Sequence, residues 1–126
     1  MPEASRKSVL VVDDSRISRM LIKSLVLARF PEWEIIEATT GDEAVLMAKE
    51  RSFDYCTMDI NMPGLLGTEA AELLLQKQPA LRVALFSANI QEAQHVRAAQ
   101  LGVPFVAKPV TEKSVALALA YFQGQN

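Results

Sequence analysis

Five residues with reactive side chains follow apolar segments of the chain. They are Asp13, Asp14, Asp59, Ser87 and Lys108. If these segments are parallel strands of one sheet, their carboxyl ends share an edge, and three carboxylates, a hydroxyl and an ammonium lie together there. Such a cluster of like charges is unfavourable unless a divalent cation and an anionic group occupy it. The pattern therefore predicts magnesium and a phosphoryl group at this edge.

Each of these residue types has a role in phosphoryl transfer to a carboxylate. A carboxylate can attack phosphorus to give an aspartyl phosphate, and the reaction depends mainly on positioning and charge neutralisation. Magnesium binds one or two protein carboxylates and accepts phosphate oxygens as further ligands, while an ammonium and a hydroxyl bind the other phosphoryl oxygens. Taken singly, each residue could equally cap a helix or form a turn. The prediction therefore depends on their occurring together at strand ends.

The apolar segments alternate with helical patterns five times, which predicts an α/β fold with a doubly wound parallel sheet between helices. Ligands of such sheets bind beyond the carboxyl ends of the strands. The predicted strands are 8–12, 33–38, 53–59, 82–86 and 103–107. The predicted helices are 15–29, 40–51, 68–78, 90–101 and 111–122.

Local patterns give finer predictions for the first helix. Asp14 or Ser15 is expected to be its N-cap. Its apolar residues with helical spacing are expected to face the core, and these are Ile17, Met20, Leu21 and Leu25.

Two further patterns concern a helix start and a sheet edge. Thr40 and Glu43 form a predicted capping box at the start of the second helix. Pro104 lies in the fifth strand and cannot donate to a ladder, so that strand is expected at the edge of the sheet.

Composition limits the class of protein. The 126 residues predict a single domain spanning 1–126 with a core from 8 to 122. The net charge of -2 and the lack of a long basic run argue against nucleic-acid binding. The single cysteine, Cys56, excludes an internal disulfide and is expected to be buried and inert. No segment is apolar enough for a signal peptide or a membrane span, so a cytoplasmic location without membrane contact is expected.

The spacing of four motifs resembles that of the receiver domains of response regulators. The motifs are Asp13-Asp14, Asp59-Ile60-Asn61-Met62-Pro63-Gly64, Ser87-Ala88 and Lys108-Pro109. The resemblance extends from Ser8 to Phe122. It implies a flavodoxin-like sheet with strand order 2-1-3-4-5 and five flanking helices.

The resemblance also implies roles for single residues. Asp59 would be the phosphoacceptor and a magnesium ligand, Lys108 the phosphate-binding lysine, and Ser87 the hydroxyl that moves toward the phosphoryl group. The remaining roles would be held by Asp14 as a direct Mg²⁺ ligand, Asp13 as a ligand through water, Asn61 as a ligand through its backbone carbonyl, and Phe105 as the aromatic that changes rotamer with Ser87. The chain would be a signalling phosphoacceptor rather than an enzyme, since it would catalyse only its own phosphorylation and slow dephosphorylation.

The implied partners are proteins. A histidine kinase or histidine phosphotransfer protein would donate the phosphoryl group and meet an exposed flank of the first helix, made of Arg16, Ser18, Arg19 and Lys23. An effector protein would read the face formed by the fourth helix, fifth strand and fifth helix. The chain is expected to be a monomer or weak dimer.

Four more residues lie near the predicted phosphorylation site or the predicted effector face. His95 on the fourth helix is expected to face solvent, with contact at the effector face as the alternative. Leu66 is an exposed apolar candidate near the site that is expected to pack, with contact to a partner as the alternative. Asn61 and Asn89, each two residues after a site residue, are expected to flank the phosphoryl group and to affect its lifetime.

Other readings stay open. Within the family, the chain could be a phosphorelay shuttle or the receiver portion of a larger regulator. Outside it, a phosphatase with a strand-end Asp nucleophile would need a second Asp two residues after the first, and Ser15 stands there instead of an acid. An ATPase would need a G-x-x-x-x-G-K-[ST] segment, which the sequence lacks. A flavodoxin would need a hydroxyl- and glycine-rich phosphate loop after the first strand, and Asp14-Ser15-Arg16-Ile17 has the wrong charge for it.

Overall fold

A computed structural model describes residues 6–88 and 91–124. Five strands alternate with five helices in these ranges. The strands are β1 Ser8–Val12, β2 Glu34–Ala38, β3 Tyr55–Asp59, β4 Arg82–Ser87 and β5 Phe105–Ala107; the helices are α1 Arg16–Arg29, α2 Gly41–Glu50, α3 Gly67–Lys77, α4 Glu92–Leu101 and α5 Glu112–Phe122.

All neighbouring strands pair in parallel, in the order β2-β1-β3-β4-β5. The predicted fold class and strand order are therefore confirmed. The order places β1 and β3 at the centre of the sheet, so the ends of these two strands lie beside each other.

Two hydrophobic cores cover the two faces of the sheet. One contains buried residues of α2, α3 and α4, and the other contains buried residues of α1 and α5. Successive strand residues point to opposite faces, so in β3 Cys56 and Met58 belong to the first core and Tyr55 to the second. Cys56 is fully buried, as predicted, and burial raises the pKa of its thiol.

The predicted orientation of α1 is wrong for three of its four residues, whereas the fourth, Leu25, packs against the core of α1 and α5 as expected. Ile17, Met20 and Leu21 are 65%, 56% and 40% exposed, whereas Ile22 and Val26 are buried in the core. Successive helix residues are about 100° apart, so these two sets lie on different sides of the helix. Both sets have helical spacing, and periodicity alone does not determine which one faces the sheet. We call Ile17, Met20 and Leu21 the α1 patch.

The helix starts are close to their predicted form. Ser15, rather than Asp14, caps α1, and its side chain accepts a hydrogen bond from the backbone of Ser18. Thr40 caps α2 as predicted and accepts from the Glu43 amide at 3.0 Å. The capping box differs in its return bond, because the Glu43 carboxylate accepts from the amide of Thr39 instead of that of Thr40.

The fifth strand is shorter than predicted. It has three residues and begins after Pro104, whose carbonyl accepts a hydrogen bond from the Leu85 amide at 3.0 Å. Proline has a carbonyl acceptor but no amide donor, so it can accept a hydrogen bond from the neighbouring strand but cannot donate one. The strand pairs with β4 and lies at the edge of the sheet, as expected. The predicted start of α4 at Ile90 lies outside the described residues, and α4 begins at Glu92.

The start of α3 lies directly against the end of β3. The Gly67 amide donates to the Ile60 carbonyl at 3.1 Å. A β-carbon at Gly67 would lie 2.2 Å from the Asp59 carbonyl oxygen and 2.7 Å from the α-carbon of Ile60. This position therefore requires glycine because of the close approach of two backbone segments.

We expect Gly67→Ala to lower the free energy of unfolding by about 3 kcal/mol, because the added methyl overlaps backbone that cannot move aside. Gly102→Ala is the control. Gly102 has a positive φ of 72° but nothing within 4 Å of an added β-carbon, so its cost is about 1 kcal/mol. Urea denaturation measures both, and an equal loss in the two variants would contradict the close-approach explanation.

Candidate functional site

Three acidic residues meet at the carboxyl edge of the sheet. One carboxylate oxygen from each of Asp13, Asp14 and Asp59 lies within 4.8 Å of the others. Asp13 and Asp59 are buried and Asp14 is exposed. An oxygen-only set of this kind, open to solvent on one side, fits a Mg²⁺ ion that keeps some of its waters.

Asp13 is held by hydrogen bonds to both oxygens of its carboxylate and to its backbone. Its amide donates to the Ala38 carbonyl at 3.2 Å. Its Oδ1 accepts from the Ser15 amide at 2.8 Å, and its Oδ2 accepts from Nζ of Lys108 at 2.9 Å. Within residues 6–88 and 91–124, no hydrogen bond to the Asp14 carboxylate is found. Asp14 is thus the acid most open to an incoming ligand.

Lys108 joins the two buried acids. Its Nζ lies 2.9 Å from Oδ2 of Asp13 and 3.5 Å from Oδ1 of Asp59. Its amide donates to the Ser87 carbonyl at 2.9 Å, which fixes the start of the side chain. Burial by itself would lower the pKa of Lys108, but the hydrogen bond to Asp13 and the charge of Asp59 outweigh it and raise the pKa. The ammonium is therefore held in its charged form.

Asp59 carries the clearest electrostatic perturbation of the site. Burial, and after it the charge of Asp13, raises its pKa to about 6, while Lys108 acts in the opposite direction. Asp59 is ionised at neutral pH, but its charge is only partly compensated. A carboxylate in this state favours the approach of a cation or reaction with an electrophile.

Ser87 lies at the same edge and is buried. Its hydroxyl accepts a hydrogen bond from the Asn61 side chain at 3.0 Å. The position of Asn61 beside the site agrees with its expected flanking place, but its bond to the Ser87 hydroxyl was not predicted. Asn89, the other predicted flanking residue, lies outside the described residues.

Phe105 and His95 form a stacked pair that the sequence did not predict. Their ring centroids are 4.7 Å apart and the ring planes are 25° from parallel. His95 is exposed and Phe105 is half-buried. His95 therefore faces solvent, as expected, and also covers the ring of Phe105. A helix pattern does not identify which side chain of a neighbouring strand lies beneath a histidine.

The flank of α1 differs from its predicted form. The Arg19 side chain is only 13% exposed, with Nε 2.9 Å from Oε1 of Glu37 and NH1 2.8 Å from the Asp13 carbonyl. Arg19 was expected to meet a partner but is bound within the chain. Arg16 and Lys23 are exposed, as expected, and they lie on the same helix as the α1 patch.

Leu66 is less packed than expected. It is 39% exposed, while its neighbour Leu65 packs against the core of α2, α3 and α4. Leu66 is the N-cap residue of α3, and its backbone amide donates to the Glu69 carboxylate in the first turn of that helix. Of these two adjacent leucines, Leu65 is therefore the one that packs against the core.

In the part of the chain that the structure describes, none of the helices combines the length and apolarity that crossing a membrane requires.

Comparison with known proteins gives a consistent result. A family model for the response regulator receiver domain matches residues 9–120. The chemotaxis protein CheY of Thermotoga maritima is 36% identical over 115 residues, which cover 90% of this chain and 94% of that protein.

Solved structures agree. The response regulator domain of Thermotoga maritima CheB has a TM-score of 0.78 and 33% identity, with 94% of each chain covered. The response regulator TrrA of Thermotoga maritima, in complex with Mg²⁺ and BeF, has a TM-score of 0.79 and 25% identity, with 92% of this chain and 98% of that one covered.

The buried charge of Asp59 predicts a stability difference that depends on pH. The pKa of Asp59 is raised from 3.8 to about 6 in the folded chain, so the folded state binds this proton more tightly than the unfolded state does. This tighter proton binding stabilises the folded state fully below about pH 3.8, and the stabilisation is lost as the pH rises to about 6. At about pH 7 without magnesium, we expect Asp59→Asn to be more stable than the wild type by on the order of 2 kcal/mol.

Urea denaturation between about pH 3.5 and 7.5 measures this difference, which should shrink toward zero at the acid end. Glu50→Gln is the control, because it removes an exposed carboxylate of α2 and should leave stability unchanged. Equal stability of Asp59→Asn and the wild type across the whole range would contradict the prediction.

Proposed function

Because the chain belongs to the response-regulator receiver domain family, we propose that it receives a phosphoryl group on Asp59 in a two-component signalling pathway. Its role is that of a signalling phosphoacceptor that promotes only its own phosphorylation and slow dephosphorylation. The proposal covers one domain over residues 1–126, with its core at 8–122, acting in the cytoplasm.

The position of Asp59 supports this role above all. Its carboxylate is buried at the end of a central strand, beside two further acids and 3.5 Å from the ammonium of Lys108. In the proposed reaction an Asp59 oxygen attacks the phosphorus of a phosphohistidine. The new O–P bond forms as the P–N bond breaks, and the bonding electrons leave with the imidazole of the donor.

The residues around Asp59 have complementary roles in this step. Mg²⁺ would be held by the side chains of Asp14 and Asp59, by the backbone carbonyl of Asn61, and by Asp13 through water. When bound, the ion neutralises charge on the phosphoryl oxygens. Lys108 is already charged and shared between two acids, so it can bind one phosphoryl oxygen through a small shift of its ammonium.

The signal would pass from the end of β4 to the surface of α4, β5 and α5. In β4, Val83 and Leu85 contribute to the core of α2, α3 and α4, so by alternation Ser87 points to that face. Phe105 packs against the same core. Movement of the Ser87 hydroxyl toward the phosphoryl group would leave space that the Phe105 ring can enter. This would shift an existing equilibrium at the surface of α4, β5 and α5.

We propose two protein partners and no nucleic-acid or membrane partner. The donor, a histidine kinase or histidine phosphotransfer protein, would dock on the α1 patch, because this apolar surface is exposed on the helix that follows Asp14. The effector would bind α4, β5 and α5, where Val96 and Leu117 are exposed apolar residues. The chain alone would be a monomer or weak dimer.

Phosphorylation by a small-molecule donor tests the role of Asp59. Radiolabelled acetyl phosphate with Mg²⁺ should label the wild type through a bond that hydroxylamine cleaves, and chelation of Mg²⁺ should abolish labelling. Asp59→Asn should stay unlabelled, because an amide is not a nucleophile for this step. The control Asp54→Asn removes an acid at the other end of β3 and should label normally. Wild-type labelling of Asp59→Asn would overturn the assignment.

The stack on Phe105 predicts an effect of His95 on the switch. If Phe105 moves inward on activation, the stack with His95 breaks, and such a pair is worth about 0.5–1.5 kcal/mol. We therefore expect His95→Ala to bind beryllofluoride with Mg²⁺ roughly two- to tenfold more tightly than the wild type. Calorimetry measures this affinity.

His95→Phe keeps an aromatic ring and should bind as the wild type does. Val96→Ala, a change at an exposed neighbour on α4, should also leave the affinity unchanged. Identical affinities of His95→Ala and the wild type would mean that the stack is the same in both states.

A further inference from the structure

Arg19 joins three parts of the fold at the edge of the site. It lies in the first turns of α1, its Nε contacts Glu37 in β2, and its NH1 donates to the Asp13 carbonyl at 2.8 Å. These contacts leave the side chain only 13% exposed. An arginine bound in this way is not free to meet a partner, so its function lies within the chain.

The bond to the Asp13 carbonyl acts on the peptide that connects the two adjacent acids. The Asp13 amide, Oδ1 and Oδ2 are bound by Ala38, Ser15 and Lys108, respectively. Arg19 binds the remaining polar group, the carbonyl. Because a peptide unit is planar, fixing its carbonyl also fixes the direction in which the chain enters Asp14.

Asp14 needs this support more than Asp13 does. It is exposed, and its carboxylate has no hydrogen bond from any described residue, whereas Asp13 is fixed by three other bonds. The direction of the Asp13–Asp14 peptide is thus a main constraint on where the Asp14 carboxylate lies relative to Asp59.

We propose that Arg19, held in place by Glu37, is a positioning residue for magnesium binding, which sets the Asp13–Asp14 peptide so that both acids converge with Asp59. This inference rests on the proposed function, since it assumes that these acids bind Mg²⁺. Groups that orient metal ligands commonly change metal affinity by about 10- to 100-fold when they are removed.

A purely electrostatic role for Arg19 predicts the opposite sign. A guanidinium near an acidic site repels a divalent cation, so its removal would strengthen Mg²⁺ binding. Positioning predicts that removal weakens it. The two explanations also differ for Arg19→Lys, which keeps the charge but loses the planar fork that reaches Glu37 and the Asp13 carbonyl together.

The test is calorimetric titration of Mg²⁺ into the wild type, Arg19→Gln and Arg19→Lys. We expect each variant to bind Mg²⁺ about tenfold more weakly than the wild type. Phosphorylation by acetyl phosphate should slow at low Mg²⁺ and recover at saturating Mg²⁺, because Arg19 touches no reacting atom.

Arg51→Gln is the matched control. Arg51 also binds a β2 glutamate, Glu34, with NH2 2.9 Å from Oε1, but at the amino edge of the sheet. Its loss should leave Mg²⁺ affinity unchanged. Thermal unfolding of all the proteins separates a change in affinity from a loss of structure, and Arg19→Lys decides the result if Arg19→Gln does not fold.

The outcomes separate the two proposals. If the wild type binds no Mg²⁺, the proposed function fails. If the wild type binds Mg²⁺ and the Arg19 variants bind it equally well or more tightly, the positioning role alone is overturned. A loss in Arg51→Gln as large as that in Arg19→Gln would also overturn it, since the effect would then be general to ion pairs of β2.

Discussion

Among the residues that the structure describes, Lys108 is the one whose ammonium forms an ion pair with both buried acids of the site. Asp13 and Asp59 are both removed from water, and burial together with the charge of Asp13 raises the pKa of Asp59. Lys108 binds Asp13 closely and Asp59 more distantly. The two acids are therefore neutralised unequally: Lys108 lies closer to the Asp13 carboxylate, while the pKa of Asp59 stays raised to about 6. Two acids of a single cluster therefore lie in different electrostatic environments.

The helices beside the sheet determine how that cluster is held. Gly67 allows α3 to begin against the backbone of Asp59. Ser15 is the N-cap of α1, and its amide donates to the Asp13 carboxylate. Arg19 extends this support from α1 to β2. The site is therefore formed where two helix starts meet two central strands, and rigid backbone contacts set the positions of its acids.

The alternation of strand residues distributes the residues of the site and of its surroundings over the two sides of the sheet. By alternation from Tyr55, Asp59 falls on the side of α1 and α5, whereas Phe105 packs with α2, α3 and α4. By alternation from Val83 and Leu85, Ser87 falls on the side of α2, α3 and α4, and it lies at the end of β4. On the side of α2, α3 and α4, the ring of His95 on α4 stacks on the ring of Phe105 and so connects β5 to the exposed surface of α4.

The sequence alone was sufficient for the fold class, the strand order through family resemblance, and the convergence of five polar residues. The physical reason is that parallel strands place their carboxyl ends at one edge, so residues that follow strands converge whatever the details of packing. Local chemistry was also sufficient for Thr40 as a helix cap, for the burial of Cys56, and for β5 as an edge strand.

Only the tertiary structure decided which side chains contact each other across elements. The rotation of α1 was predicted wrongly because Ile17 and Ile22 both belong to sets with helical spacing, and contact with the sheet selects one of them. The bond of Arg19 to the Asp13 carbonyl and the stack of His95 on Phe105 were likewise absent from the sequence pattern. Spacing along a chain specifies periodicity, but the contacts of a side chain depend on the neighbouring elements that packing brings beside it.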